Sequence, residues 1–538
     1  MIRARIRTAA PRARCLARWA STTPEAAARS AAAEYKARNE RLLAGDKPVY
    51  PVLRPRQAVS VAAARAQCEA VAEHGFARDQ GAHVVVRGRI ARIRTAGGKL
   101  AFMDIVQNEA TVQVVYRQDW TELAPAEYRR ARDALRRGDV VSVAGVAGRS
   151  QTGEPSVCAT EPVELLAPCL HPLPATLSDE ERAHHRTLEL LVARDAREVL
   201  RARSYVVAHI RAFLGAREFM EVQTPLLSTS AGGAAARPFV TRATALGSAG
   251  TDLELRIAPE LWLKRLVVAG FDRVYELGPV FRNEGVDATH NPEFTVCEFY
   301  QAYATLGELV ATTEELLRSL AGAARRDLPV VAAWLAETGL DFDAPFRQIE
   351  FVPALEAALG RPLDVLAGPE ADAAAFLAAL FAERGLAPPA ARTVAQYLDR
   401  LFEVYIEPAL ADGQPTFVLG HPEALSPLAK AAGGPGGVRL ARRFELYVGG
   451  KELANAYEEE NSPFDQRRKF EAQARDRAAG DAEAPAVDEA YLAALEYGLP
   501  PTGGWGMGVD RLVMLLTGSR RIGQVLAFGG VRAVVGQE

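Results

Sequence analysis

The sequence predicts an α+β protein: a small N-terminal β-barrel, then a larger domain in which long helices alternate with isolated strands. Two observations carry this. Between His83 and Leu166 lie the short runs Val84 to Arg94, Ala101 to Ile105, Thr111 to Tyr116, Val140 to Val146 and Ser156 to Thr160, punctuated by Gly97-Gly98, Gly138-Asp139 and Gly153-Glu154. That is the pattern of strands joined by turns. Beyond His171-Pro172-Leu173-Pro174, which reads as an extended hinge because proline disfavours helix in the residue before it, the period lengthens. Thr305 to Ala324 is the clearest helix: Leu306, Leu309, Val310, Leu316, Leu317 and Leu320 form one stripe, and Thr305 with Glu308 forms a capping box.

Five strands within about 80 residues suit a small barrel such as the OB-fold, a frequent oligonucleotide binder, and equally a barrel with a purely structural role. Residues 81 to 162 hold twelve Lys plus Arg against nine Asp plus Glu, so the segment is locally basic. The chain of 538 residues is too long for one core, with domains running to roughly 100 to 200 residues. With 49% hydrophobic and 24% charged residues it has the composition of a globular protein, and it lacks the roughly 20-residue apolar run needed to span a bilayer. Its five cysteines are scattered, which argues against a disulfide scaffold or a zinc site.

Met1 to Pro24 carry six arginines and no acidic residue, so residues 1–24 are expected to be a mitochondrial transit peptide addressing the matrix. A basic arm that touches nucleic acid is the alternative. Without those arginines the formal net charge falls from −3 to −9, so a polyanionic partner must be met by local basic patches. The expected organisation is a helical extension and proline-interrupted linker at 25–80, the barrel at 81–168, a hinge at 169–185 and the second domain at 186–538. Ala431 to Gly437 and Ala478 to Pro485 read as surface loops.

Three segments of the second domain carry chemistry. Arg273 to Tyr303 reads as a β-hairpin with a long polar tip. Residues two apart on a strand share a face, which groups Arg282 with Glu284, and Phe294 with Val296, Glu298 and Tyr300. A guanidinium suits phosphate and a ring suits a purine, although an exposed, salt-bridged hairpin would read the same way. Phe444 to Asn461 is a second hairpin, turning at Gly449-Gly450. It places Asn455, Tyr457 and Glu459 on one face and brings Glu445 and Glu452 to where both can meet one hard cation such as Mg²⁺. In the third segment Gly504, Gly506 and Gly508 leave one strand face bare, Asp510 is expected to cap the following helix, and Arg511 projects from its first turn.

These residues resemble a known family. FRNE at Phe281 and GWGMGVDR at Gly504 are similar to motifs 2 and 3 of class II aminoacyl-tRNA synthetases, and GAREFMEVQTPLL at Gly215 resembles motif 1. The three motifs fall near residues 273–303, 503–518 and 211–227. Within the class, RIAPELWLKRL at Arg256, RNEGVDATHNPEFT at Arg282, HPEALSPLAK at His421, NAYEEEN at Asn455 and GLPPTGGWGMG at Gly498 resemble the lysyl-tRNA synthetases. Gln223 in motif 1, the glycine-rich Ala431 segment and the stretch around His184-His185 depart from the family's usual wording.

The resemblance implies an OB-fold that reads the anticodon and a catalytic domain built on an antiparallel sheet flanked by helices. It implies ATP, L-lysine and tRNA(Lys) as substrates, Mg²⁺ as cofactor and a homodimer, with neither membrane insertion nor DNA binding. As catalytic groups, Arg282 would hold the α-phosphate and Arg511 the γ-phosphate. Phe294 would stack on adenine, Glu284 would meet its amino group, and His290 and Asn291 would line the triphosphate. Glu445 and Glu452 would hold the metal. Glu260, Glu298, Tyr300, Asn455, Tyr457 and Glu459 would form the lysine pocket, and Phe102, Gln113 and Glu154 would read the anticodon. Glu260 and Glu459 are expected to converge on the substrate's ε-ammonium; a positively charged side chain in the cleft between them would reject this substrate. Aspartate or asparagine as the amino acid, or a non-catalytic RNA-binding relative, are the alternatives.

Overall fold

The computed structural model describes residues 24–44, 49–53, 55–78, 81–247, 250–478 and 487–529. Residues 1–23 of the expected leader and most of Ala478 to Pro485 lie outside them. The chain divides into two compact units, Met1–Ala175 and Thr176–Glu538, and the division falls inside the expected hinge.

In the first unit, strands β1 (His83–Thr95), β2 (Leu100–Gln107), β3 (Ala110–Arg117), β4 (Val140–Arg149), β5 (Pro155–Ala159) and β6 (Glu164–Ala167) order as β1-β2-β3-β5-β4-β6. An additional β1–β4 pairing, in register from His83↔Val146 to Arg89↔Val140, closes the barrel. Alternation fills it: Val86, Ile90, Met103, Ile105, Val112, Val114, Val141 and Val143 are fully buried. The five expected strands are present. The sixth, Glu164–Ala167, was hidden because its short ELLA run shows neither alternation nor a turn signal. The helix Val61–Glu69, capped by Ser60, buries Val61, Ala64 and Cys68 against the barrel. The helix Pro24–Leu43 is tied to it by Arg38, which donates to both oxygens of buried Asp139 at 2.7 and 2.8 Å. Asp139 also accepts from the Arg136 and Cys169 amides, so its charge is satisfied despite full burial.

The second unit is organised by one sheet. Its strands are β7 (Met220–Glu221), β8 (Arg273–Phe281), β9 (Glu293–Ala302), β10 (Arg347–Glu350), β11 (Thr416–Leu419), β12 (Arg443–Val448), β13 (Lys451–Glu458) and β14 (Thr502–Gly508), in the order β10-β11-β12-β13-β14-β9-β8-β7. The central pairings are antiparallel, as expected, but both edge pairings are parallel. The sheet is therefore mixed.

Period-two alternation sorts the two faces of this sheet. Cys297, Phe299, Trp505, Met507, Ala454 and Ala456 point into a core shared with the helices Arg194–Gly215, Leu306–Asp327 and Val509–Thr517, and the Phe299 and Trp505 rings stack at 4.9 Å. Their neighbours Glu298, Tyr300, Asn455, Tyr457, Gly504 and Gly506 are thereby turned to the opposite face, where they line a cavity. The capping box of Thr305 and Glu308 forms as the sequence predicts.

Two local expectations are corrected. Asp510 does not cap its helix: the N-cap is Gly508, and the buried Asp510 carboxylate instead accepts from the Thr295 amide at 2.8 Å and pairs with Arg203. Position two of the helix points its side chain back into the protein. Ala431 to Gly437 is not simply a loop. Ala431–Gly433 pairs with Arg439–Ala441, and the Gly434 amide donates to Val438 O at 2.7 Å to close the tip.

Candidate active site

The cavity on the free face of the sheet has a volume of about 420 Å³. Strand β9 contributes Phe294, Val296, Glu298 and Tyr300, β13 contributes Glu452, Asn455 and Tyr457, and the glycines of β14 form its floor. The tip of the β8–β9 hairpin adds Arg282, Glu284, His290 and Asn291. The first residue of the helix Glu260–Val268 adds Glu260, and the first turn of Val509–Thr517 adds Arg511. The three sequence segments therefore meet in one place, because β13, β14 and β9 are consecutive neighbours in the sheet. Arg282 and Glu284 lie in the loop just past β8 rather than on the strand.

One end of the cavity is cationic. The Arg282 guanidinium lies over the Phe294 ring at 5.2 Å, and its buried Nε has no hydrogen-bond partner. A buried donor left unpaired is costly, so the position favours an anionic acceptor. Arg511 donates to the Glu452 carbonyl at 3.0 Å and contacts His290 Nε2 at 3.0 Å. On its other side His290 faces Asp287 at 2.8 Å. Hydrogen bonds from Thr289 and His290 hold the Asp287 carboxyl well below the usual carboxylate range. Asn291 donates to Glu293 O at 2.6 Å, and Glu284 is exposed.

Beside this end stand Glu445 and Glu452. The β12–β13 hairpin turns at Gly449 and Gly450, both at positive φ, and a bulge after Leu446 offsets the register so that Tyr447 faces Glu452. Burial opposes ionisation of Glu445, but Arg443 and His421 win and hold it well below its ordinary range. Burial and then the charge of Glu445 push Glu452 up to about 7. Its side chain is nevertheless 40% exposed on the cleft, so it is surrounding protein rather than full enclosure that raises it. Two hard oxygen donors, one reluctant to ionise beside the other, fit a divalent cation. Among the described residues no group of three or more His, Cys, Asp or Glu side chains forms a metal cage, so a cation here would need oxygens from water or substrate as well.

The opposite end is anionic and dry. Glu260 is 4% exposed, and both of its oxygens accept from Tyr457 OH, at 2.7 and 2.8 Å. Tyr300 OH donates to Glu298 at 3.2 Å, and burial followed by the charge of Glu260 pushes the Glu298 carboxyl up to about 8. Glu260 and Glu459 do converge on one ammonium, and it is the protein's own: Lys264 Nζ lies 2.5 Å from Glu260 Oε1 and also contacts Glu459 Oε2. Lys264 has no exposed surface and is not on the cavity wall. The cation on which the two glutamates converge is therefore a side chain of the protein, set behind the cavity wall rather than on it.

Glu459 is 1% exposed and is not open on the cleft, but it keeps the face of Asn455 and Tyr457. Its amide continues the ladder past Glu458, donating to Thr502 O at 2.8 Å, and its carboxylate packs beneath the cavity wall against Gly504. A Cβ on Gly504 would collide with Glu459 Oε1 and the Tyr300 ring. Much of the bare glycine face is thus filled by the protein itself.

On the barrel, Phe102 and Gln113 share the outer face, opposite the buried Met103, Val112 and Val114. Gln113 pairs with Ser156 of β5 and accepts from its hydroxyl at 3.1 Å, and exposed Glu154 lies just before that strand. The Arg94 guanidinium lies over the Phe102 ring at 5.7 Å. The three expected anticodon-reading residues are thereby brought to neighbouring positions.

Residues 178–532 match the family model of tRNA synthetases class II (D, K and N), and residues 84–166 match that of the OB-fold nucleic acid binding domain. The chain belongs to the class II tRNA synthetases. Among similar proteins is a mitochondrial lysine–tRNA ligase of Schizosaccharomyces pombe, 44% identical over 84% of this chain and 84% of its own length. A probable cytoplasmic lysine–tRNA ligase of Encephalitozoon cuniculi is 43% identical over 82% and 86%. A lysine–tRNA ligase of Roseiflexus castenholzii is 43% identical over 84% and 90%.

Sequence reasoning missed two groups in the synthetase's site. Arg443 lines the cleft, donates to Asn455 at 2.9 Å and pairs with Glu445. Its signal was the alternation of RFELYV, which puts it on the Glu445 face. Lys264 was legible as the helix partner four residues after Glu260, but nothing local placed Glu459 beside it.

Proposed function

We propose that this synthetase is a mitochondrial lysine–tRNA ligase that joins L-lysine to ATP as lysyl-adenylate and then transfers lysyl to the 3′ end of tRNA(Lys). The observation that carries the reading is the polarity of the cleft: Glu260 and Glu459 share one internal ammonium, Lys264, at one end, with the Glu298 carboxyl beside them. Arg282 and Arg511 stand at the other. An excess of buried negative charge demands a cation. Lysine's side chain supplies one; those of aspartate and asparagine do not.

The carboxylate of lysine is already a nucleophile, so activation needs no general base. Its attack on the α-phosphorus expels pyrophosphate, and the residues' task is positioning and charge stabilisation. Arg282 meets the α-phosphate with the donor it leaves unpaired, and Arg511 meets the γ-phosphate beside His290 and Asn291. Phe294 offers its ring to adenine and Glu284 accepts from the exocyclic amine. Asn455, Tyr457 and Tyr300 orient the amino acid. A Mg²⁺ held by Glu445 and Glu452 would supply further neutralisation of the phosphates. Phe102, Gln113 and Glu154 read unpaired anticodon bases by stacking and edge contacts.

The Arg-rich, acid-free residues 1–24 support a matrix address, in line with the name of the S. pombe relative. No described helix is long and apolar enough to cross a membrane. Motif 1, with the exposed Met220, Leu226 and Leu227, supplies an apolar surface for a homodimer. Amino-acid-dependent exchange of pyrophosphate into ATP tests the reading: lysine should support it, and exchange with aspartate or asparagine but not with lysine would overturn it.

A further inference from the structure

Lys264 is a fully buried cation to which the proposed reaction assigns no role. It lies on the helix Glu260–Val268, one turn after Glu260, among Leu261, Leu263 and Val267. Its ammonium bridges Glu260 Oε1, at 2.5 Å, and Glu459 Oε2. The rings of Tyr300, Tyr457 and Tyr491 surround it at 6.0, 5.6 and 5.9 Å, each within the range of a cation–π contact. Tyr300 and Tyr457 also line the cavity, while Lys264 does not.

The two glutamates end up differently. Glu260 is held at both oxygens, by Tyr457 OH and by Lys264. Neither Glu459 oxygen has a hydrogen-bond partner: Oε2 is met by the Lys264 ion pair alone, and Oε1 by nothing, although it lies against Gly504 on the cavity wall. A buried carboxylate oxygen with no donor is a costly arrangement that a ligand ammonium would relieve. An ion pair on Oε2 fixes the plane of the carboxylate and hence the direction in which Oε1 points. The Glu459 amide donates to Thr502 O at 2.8 Å, so the backbone ladder aims the side chain at this face, and the Lys264 contact sets the orientation of its carboxylate.

We propose that Lys264 is a positioning residue for substrate selection: it clasps Glu260 to Glu459 and so presents the free Glu459 oxygen to the side-chain ammonium of the bound amino acid. This rests on the lysine reading of the cleft. The clasp explains how the site tolerates two buried glutamates. It also explains why a cation one layer behind the wall is compatible with a cationic substrate: Lys264 offsets one carboxylate and leaves the cluster anionic.

The test is lysine-dependent pyrophosphate exchange by the full chain and by Lys264→Met. KM for lysine should rise by about 10- to 100-fold, the value of a hydrogen bond to a charged group, while kcat and KM for ATP change little. Preference for lysine over its neutral hydroxyl isostere should shrink by a similar factor. Because Lys264→Met leaves buried charge uncompensated, the double variant Lys264→Met with Glu459→Gln is measured alongside. It should recover the thermal midpoint without recovering the lysine KM. An unchanged lysine KM in a folded variant, or parallel losses in lysine KM, ATP KM and kcat that the double variant repairs together, would overturn the clasp. Absence of lysine-dependent exchange in the unaltered chain would instead overturn the function on which it rests.

Discussion

At the Glu260 end of the cleft, Glu459 and Lys264 are buried and in contact. At the phosphate end Glu284 and His290 are exposed and Arg511 is a third exposed. The first arrangement is internally paired, and under the proposed reading it discriminates through the one Glu459 oxygen left unmet. The second is open, with a donor on Arg282 unmet. Selectivity for a small charged group requires a dry, preformed surround, whereas a triphosphate brings enough charge to organise mobile side chains around itself.

Four changes break or sharpen that contrast. Arg511→Ala should have the largest effect, lowering pyrophosphate exchange by about a thousandfold, as loss of a charge-stabilising donor does, while tRNA binding measured by filter retention stays unchanged. Glu452→Gln should come next, raising the Mg²⁺ concentration for half-maximal exchange about tenfold without moving the lysine KM. The third is a pH effect. Glu298 is pushed up to about 8, so below that pH it is neutral and above it adds a negative charge to the pocket. KM for lysine should therefore fall as pH rises through about 8, and Glu298→Gln should flatten the profile. The linkage to stability has the opposite sign. A carboxyl whose folded value is raised keeps its proton after the unfolded chain has lost it, so it favours the folded state at low pH and that contribution is lost as pH rises toward 8. Thermal midpoints of the chain and of Glu298→Gln should converge at low pH and separate above it. The smallest effect is expected from Phe102→Ala, which should weaken tRNA charging through KM by about 5- to 50-fold, the lower part of the range of one stacking contact, with pyrophosphate exchange intact.

The parts of this arrangement legible in the sequence were those governed by short-range periodicity. Alternation assigned Phe294, Glu298 and Tyr300 to one face of a strand, and they share the cavity. The stripe and capping box of Thr305 to Ala324 gave a helix that forms. Five barrel strands announced themselves by turns. Glu459 also keeps the two-residue period, its amide continuing the ladder to Thr502, although it is buried rather than open on the cleft. What failed depended on packing that periodicity does not carry. Asp510 had the composition of a cap but stands inside the helix, where its carboxylate serves Arg203 and Thr295. The Lys264 contact joins residues 195 positions from each other through a helix and the end of an interior strand, and no local pattern encodes it. The motif resemblance supplied what periodicity could not: that three separated segments belong to one cleft.

The most direct measurement is a crystal structure of the chain with a non-hydrolysable lysyl-adenylate analogue. The account predicts the ε-ammonium about 3 Å from Glu459 Oε1, with Lys264 still bridging Glu260 and Glu459 and the phosphate between Arg282 and Arg511. An ε-ammonium placed elsewhere, with Oε1 still unmet or Lys264 expelled from between the glutamates, would contradict it.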